Sequence, residues 1–346
     1  MSHLNEKQKS LLNNLTNDEK KYGGKLYSAG PYWNYKNKKI LFWLKKGGIH
    51  NFRGLNSGVG TSYTDNIISD FRNELGIKGR IVSLITHLPI IKNIYEGQLN
   101  LTLDKIQEYI KRNAEYYESN EKVKYLISKY KIDNAVEFGC ELIFKINNKS
   151  FSCHYLDICE RVDTISKFVD FSKIKTFFEI GGGFGSNVHF LINNFKNIKK
   201  IVYLDMVPNL FVGTEYLKYF FGDAVKDYNF LRKKEKILFT DNEELEILCI
   251  PPWQIENLSI TVDHFYNSAS FQEMPVSVVK NYSKYIMQFL SKKKSISLIT
   301  YGNWELNNTL DPTTINNLFN NCLSVNKFST LVDKEKKLFY LLSKNL

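Results

Sequence analysis

The stretch Phe177–Asn187, FFEIGGGFGSN, decides how the chain is read. Three apolar residues surround one acid, and glycines then occupy 181, 182, 183 and 185. The apolar run TFFEI (176–180) predicts a buried strand, and NVHFLINNF (187–195) predicts a helix. Ser186 and Asn187 are residues that cap a helix start. Gly181, Gly183 and Gly185 let the backbone between them turn tightly and let a ligand approach it closely. Free amides at the helix start favour a negative group. Glu179 stands inside the apolar strand, where an acid is costly unless it meets a donor or a cation.

Working outward, strand and helix alternate from about residue 170. KIVYLDM (200–206) reads as a second strand and NLFVGTEYLKYFF (209–221) as a helix. KILFTD (236–241) and LEILCI (245–250) are both strand-like, and one of them supplies the third strand. SITVDHFYN (259–267) is the fourth, VSVVKNYSKYIMQFLS (276–291) a long helix and SISLITYG (295–302) the fifth strand. TTINNLFNNC (313–322) is helical, and LSVNKFSTLV and KKLFYLLSK read as a closing antiparallel hairpin. Such alternation implies a mostly parallel sheet covered by helices on both faces. A terminal hairpin on that sheet separates methyltransferase-type sheets from dehydrogenase ones. Asp205 ends the second strand, where an acid commonly takes the two ribose hydroxyls of a nucleoside. The dehydrogenase pattern G-x-G-x-x-G fails at its third glycine, because Ser186 stands there.

Composition sets outer limits. A chain of 346 residues with 43% hydrophobic and 14% aromatic content can build a sizeable core. Net charge is +11, which favours anionic partners such as nucleic acid, acidic membranes or acidic sugars. The basic runs are short, and no arginine-rich arm or RNA-binding signature accompanies them. The cysteines (140, 153, 159, 249 and 322) are odd in number and lack a Cys-x-x-Cys pair, so no disulfide framework or zinc site is expected. The polar start MSHLNEKQKS does not look like a signal peptide, and no apolar run reaches the roughly 18 residues of a membrane span. A cytoplasmic location is expected.

The first 165 residues look mostly helical, above all LDKIQEYIKRNAEYYESNEKVKYLISKYKI (103–132). Before it, GPYWNYKNKKILFWLKKGGIHNFRGLNSGVGTSY reads as loop-rich packing. ELIFKINNKSF (141–151) reads as a small hairpin turning at Asn147-Asn148.

The glycine loop reads E-x-G-x-G-x-G and resembles motif I of class I S-adenosylmethionine-dependent methyltransferases. IVYLDMVPNLFVGTEYLKYFF (201–221), NSASFQEM (267–274) with VVKNY after it, and HNFRG (50–54) together resemble a family of bacterial sugar O-methyltransferases. The resemblance covers about residues 30–310. It implies an α/β, Rossmann-like class I methyltransferase sheet at 169–346, mostly parallel with a terminal antiparallel hairpin. A mainly helical region, 1–168, would cap it and bind the acceptor. The cofactor implied is S-adenosylmethionine: Gly181, Gly183 and Gly185 lie beneath its methionine part, Glu179 serves its ammonium, Asp205 its ribose and Met206 its adenine. Asn267 belongs to the same cofactor set, and Cys249–Trp253 could cover the adenine.

Transfer of a methyl group to a sugar hydroxyl needs alignment, and a base or a metal to activate the alcohol. Glu273 is the ionisable group at the right end of strand four, and it could equally cap the next helix. His154 is the other candidate base, from the region expected to roof the pocket. Arg53 could hold a phosphate or carboxylate, or join domains by an ion pair; Ser270 and Gln272 could touch the acceptor. Glu273 and Glu305 follow strands four and five and could share a Mg2+ ion, without a clear third ligand. His264 lies near the start of strand four and is read as structural. Ile250-Pro251-Pro252-Trp253 lacks the amide or acid that opens the motif of amino-methylating enzymes. The acceptor expected is a nucleotide sugar or surface-glycan unit, with an anionic group within its range. RNA methylation and non-catalytic cofactor binding are the alternatives. Neither oligomeric state nor the sugar is legible.

Overall fold

The computed structural model describes residues 4–49, 52–53, 111, 114–139, 143–146, 148–301, 310–330 and 337–343. The chain forms two compact units: Met1–Ile49 with Asp157–Leu346, and His50–Leu156. This division departs from a boundary at 168/169. Its physical reason lies in α1 (Glu6–Tyr22), whose Leu11, Leu12 and Leu15 are buried, and whose Asp18 carboxylate accepts from Arg232 Nε and from the Tyr228 hydroxyl (2.7 Å). The first helix is thus part of the unit that carries the sheet. The stretch read as loop-rich opens instead with a helix, α2 (Pro31–Gly47), started by proline in the first turn and ended at Gly48.

In the second unit, α3 (Glu121–Lys129) is capped by the Asn120 side chain, which interrupts the long helical pattern read there. β1 (Phe144–Ile146) pairs antiparallel with β2 (Lys149–Phe151), as the hairpin reading has it, and Asn148 adopts a φ of 62° at the turn. The helix α4 (Cys153–Ile165) carries the chain from this unit into the other.

The first unit is then built from β3 (Thr176–Ile180), α5 (Ser186–Asn194), β4 (Lys200–Leu204), α6 (Val207–Phe221), β5 (Val225–Lys226), α7 (Tyr228–Leu231), β6 (Glu246–Ile250), β7 (Val262–Ser268), α8 (Val276–Phe289), β8 (Leu290–Tyr301), α9 (Pro312–Leu318), β9 (Leu323–Ser329) and β10 (Lys337–Ser343). LEILCI, not KILFTD, supplies the third strand; of KILFTD only Ile237 bridges, to Leu258. The strands run in the order β5-β6-β4-β3-β7-β8-β10-β9. From β5 to β8 every pairing is parallel, and β10 enters antiparallel between β8 and β9. This is the expected Rossmann-like methyltransferase sheet with its terminal hairpin.

β4 is buried at all five positions, as a strand covered on both faces must be. Phe178, Val202, Leu248 and Phe265 are register neighbours and form one apolar row. α8 meets the same core with Val278, Val279, Tyr282, Ile286 and Phe289, a three-four spacing read off the sequence. Glu179, Tyr203 and Tyr266 are register neighbours in the next row, on the opposite face. β3 has β4 on one side and β7 on the other, so strand order reverses at its carboxyl end. Ligands in such sheets sit in the crevice at that point.

Candidate functional site

The loop after β3 crosses the reversal point in a left-handed conformation at Gly181, Gly183 and Gly185, with φ of 74°, 63° and 81°. Helix α5 starts at Ser186 with Gly185 as its cap residue, and no side chain caps it. Ser186 and Asn187 are therefore first-turn residues rather than the caps expected. Asn187 instead turns inward, and its Nδ2 donates to Glu179 Oε1 at 3.0 Å.

Glu179 is 2% exposed, and its second oxygen, Oε2, has no hydrogen-bond partner among the described residues. Burial pushes its pKa up to about 8; the Asn187 amide works against this and the Asp205 charge adds to it. A Cβ on Gly182 would stand 2.6 Å from that same Oε2, so the carboxylate presses against the backbone of the loop and only glycine fits there. The E-x-G-x-G-x-G spacing does not mark Gly182. Gly183 differs: a Cβ there would meet nothing within 4 Å among the described residues, and the loop faces open space on that side of them.

Asp205 follows β4 and holds the loop from the other side. Its Oδ2 accepts from Gly183 N at 2.8 Å and its Oδ1 from Met206 N at 2.7 Å. The Asn209 side chain also bonds this carboxylate, which leaves about one acceptor site for a further donor. Burial pushes its pKa up to about 7, against those two amides and Asn209, with the Glu273 charge raising it. Tyr203, in the middle of β4's buried run, donates its hydroxyl to Gly183 O at 2.5 Å and supports the loop from beneath.

The loop after β7 closes the third side. Asn267 Nδ2 donates to Ile180 O at 2.7 Å and to Ser270 Oγ, and Asn267 Oδ1 accepts from Phe271 N at 3.2 Å. Asn267 thereby ties the ends of β3 and β7 together. The Ser270 hydroxyl lies 2.1 Å from where a Gly181 Cβ would stand. Gln272 is 1% exposed, and its Oε1 accepts from Tyr301 N at 2.7 Å, which makes it a link to the end of β8.

Glu273 is largely buried, and its Oε2 accepts from the indole Nε1 of Trp33. Burial raises its pKa, with Trp33 and the Lys36 charge pulling the other way. Oε1 has no hydrogen bond among the described residues. A Cβ on Gly30 would meet Glu273 O at 2.8 Å, so the start of α2 rests against this loop. Further along α2, Asn37 Nδ2 lies 3.0 Å from Met206 Sδ. The sequence pattern does not mark Trp33 and Asn37, because their stretch reads as loop-rich. A helix was signalled there only by Pro31 and the spacing of Ile40 and Leu44, both buried.

Arg53 belongs to the second unit, is 5% exposed, and donates from Nη2 to Ala135 O and Phe138 O, both at 2.7 Å. It holds that unit's backbone together. His154 also belongs to the second unit, at the start of α4, and is half-buried. His264 is fully buried, stacked on Phe177 and bonded through Nδ1 to Ser295 Oγ at 2.7 Å, and burial pushes its pKa down to about 3. Trp253 packs edge-on against Tyr228. Glu305, His50 and Asn51 lie outside the described residues. Among the described residues no group of three His, Cys, Asp or Glu side chains could hold a metal ion. Among them, too, no helix is long and apolar enough to cross a membrane.

No family model matches the chain, and no curated protein matches it. Solved structures similar in part include the pyocyanin biosynthetic protein PhzM (TM-score 0.38, 11% identity, 56% of this chain and 58% of that one). Human N-acetylserotonin methyltransferase in complex with S-adenosylmethionine is another (0.37, 10% identity, 56% and 54%). A third is magnesium protoporphyrin IX methyltransferase from Synechocystis (0.37, 9% identity, 55% and 80%). The chain thus spans little over half the length of the first two. Scores of this size say nothing of what this chain binds; strand order and the glycine loop are its own.

Proposed function

We propose that the chain is an S-adenosylmethionine-dependent O-methyltransferase that methylates a sugar hydroxyl on a nucleotide sugar or glycan unit. The observation that carries the cofactor is the pair of buried acids around the glycine loop, one with an oxygen that no described residue partners. A buried carboxylate in that state calls for a cation or a donor. Glu179 Oε2 would take the cofactor's ammonium, and Asp205 would accept from a ribose hydroxyl through its remaining acceptor site. The open space above Gly183 leaves room for the methionine part. Met206, held by Asn37, borders the place of the base.

When bound, S-adenosylmethionine supplies a methyl group already activated by a positively charged sulfur. The chain's own residues then have to align an alcohol oxygen with it and remove a proton. Glu273 suits the second task. Trp33 fixes one of its oxygens, the other has no hydrogen bond among the described residues, and burial raises its basicity. The sugar class is supported by the resemblance of NSASFQEM, which here contains Asn267, Ser270, Gln272 and Glu273.

The test is transfer of labelled methyl from the cofactor to a panel of sugars and nucleotide sugars. Glu273→Gln keeps an acceptor for the Trp33 indole, so it should bind cofactor as the wild type does and lose about 100-fold or more in turnover. The acidic limb of the wild-type rate profile should lie above the ordinary carboxylate range. Normal turnover in Glu273→Gln refutes the base. Label found on RNA alone refutes the acceptor.

A further inference from the structure

Arg161 occupies the last part of α4, inside the first unit, and its side chain is 16% exposed. Its Nη1 donates to Ser268 Oγ at 2.9 Å. Its Nη2 lies 3.8 Å from Asp157 Oδ2, one helical turn back. That separation balances part of the charge but is too long for a hydrogen bond. A guanidinium has five N–H donors, and among the described residues only one is used. None of its unused nitrogens is among the fully buried atoms that lack a partner, so these donors reach solvent and are open to an arriving acceptor.

The surroundings suit an oxyanion. Tyr266, Tyr301 and Tyr340 lie within electrostatic range of Arg161, and Tyr266 is hydrogen-bonded to Ser268. Phenol hydroxyls can donate to an anion alongside the guanidinium fork, which matches carboxylate and phosphoryl geometry. The position is also informative. Ser268 is the last residue of β7, two before the Ser270 that touches the glycine loop and five before Glu273. The cofactor acids lie on the β3 and β4 side of the reversal point, whereas Arg161 stands over the ends of β7 and β8. That is the side left for an acceptor.

We propose that Arg161, oriented by Ser268 and Asp157, docks an anionic substituent of the acceptor, a carboxylate or a phosphoryl group, and so determines its specificity. This rests on the methyltransferase reading for the word acceptor, but the anion site can be tested without it.

The experiment titrates the full chain, with and without S-adenosylhomocysteine, with D-glucuronate, glucose 1-phosphate and glucose. At least one of the two anions should bind tenfold or more tightly than glucose, and which one does so separates carboxylate from phosphoryl recognition. Arg161→Gln should erase that preference, and Arg161→Lys, which keeps charge without the fork, should keep part of it. The affinity of Arg161→Gln for S-adenosylhomocysteine should stay within about twofold of wild type, which also reports a folded protein. If Arg161→Gln does not fold, Ser268→Ala frees the guanidinium and should weaken the anion about threefold. Equal binding of all three sugars, no binding of either anion, or a preference that survives in Arg161→Gln or is unchanged in Ser268→Ala overturns the proposal. A wild type that prefers the anion yet ignores S-adenosylhomocysteine refutes the methyltransferase reading and leaves the anion site standing.

Discussion

Glu179 and Asp205 are each more basic in the folded protein than in a solvated chain, because burial disfavours their charged forms. The sign of the linkage follows. A carboxyl whose folded pKa is raised contributes stability that is fully present below its unfolded value and is lost as pH rises through the folded value. The window therefore runs from about 4.5 to about 8 for Glu179 and from about 3.8 to about 7 for Asp205. The thermal midpoint of the ligand-free protein should fall by several degrees between about pH 5 and about pH 9. Glu179→Gln should flatten much of that fall, and a midpoint that rises with pH in the wild type contradicts the assignment. An ammonium-bearing ligand prefers the ionised acids, so the midpoint gain from S-adenosylhomocysteine should grow over the same window. Both acids were legible in the sequence, since each interrupts or ends an apolar strand. Asn187, which meets Glu179 from the following helix, was read only as a cap, because spacing says nothing about which way a first-turn amide will point.

At the scale of elements, the glycine loop and α2 make different demands. Gly183 holds a φ of 63° over open space, so Gly183→Ala adds backbone strain of about 1–2 kcal/mol without a clash. It also places a methyl where the ligand is to lie. Calorimetric affinity for S-adenosylhomocysteine should therefore drop by more than the stability change, by about tenfold or more; an unchanged affinity would mean that nothing binds over Gly183. Trp33→Phe removes the indole donor to Glu273 and keeps the ring. It should lower turnover several-fold with little effect on the midpoint, and a normal rate would show that α2 does not position the acid. The strands were legible because a parallel sheet demands continuous apolar runs, and β3, β4, β6 and β7 all show them. α2 was not, because its aromatic residues and lysines obscure the periodicity, and its partners Met206 and Glu273 are remote in sequence.

For the whole molecule, the first helix belongs to the sheet unit. Asp18 is 7% exposed and receives Arg232 Nε, Arg232 Nη2 and the Tyr228 hydroxyl. Arg232 is about a third exposed, so its pairing is partly screened. Asp18→Ala should cost about 1–3 kcal/mol in chemical denaturation, and no loss would mean that α1 does not dock. A boundary at 168/169 follows the change in pattern along the sequence, but pattern cannot reveal that an N-terminal helix packs against elements some 200 residues away. The most direct measurement is calorimetric titration of the full chain with S-adenosylmethionine, beside Asp205→Ala and a nicotinamide dinucleotide. One saturable site is predicted, weakened about 10–100-fold in Asp205→Ala, with no heat from the dinucleotide. Silence from the folded protein toward S-adenosylmethionine, with tight binding of the dinucleotide, contradicts the account.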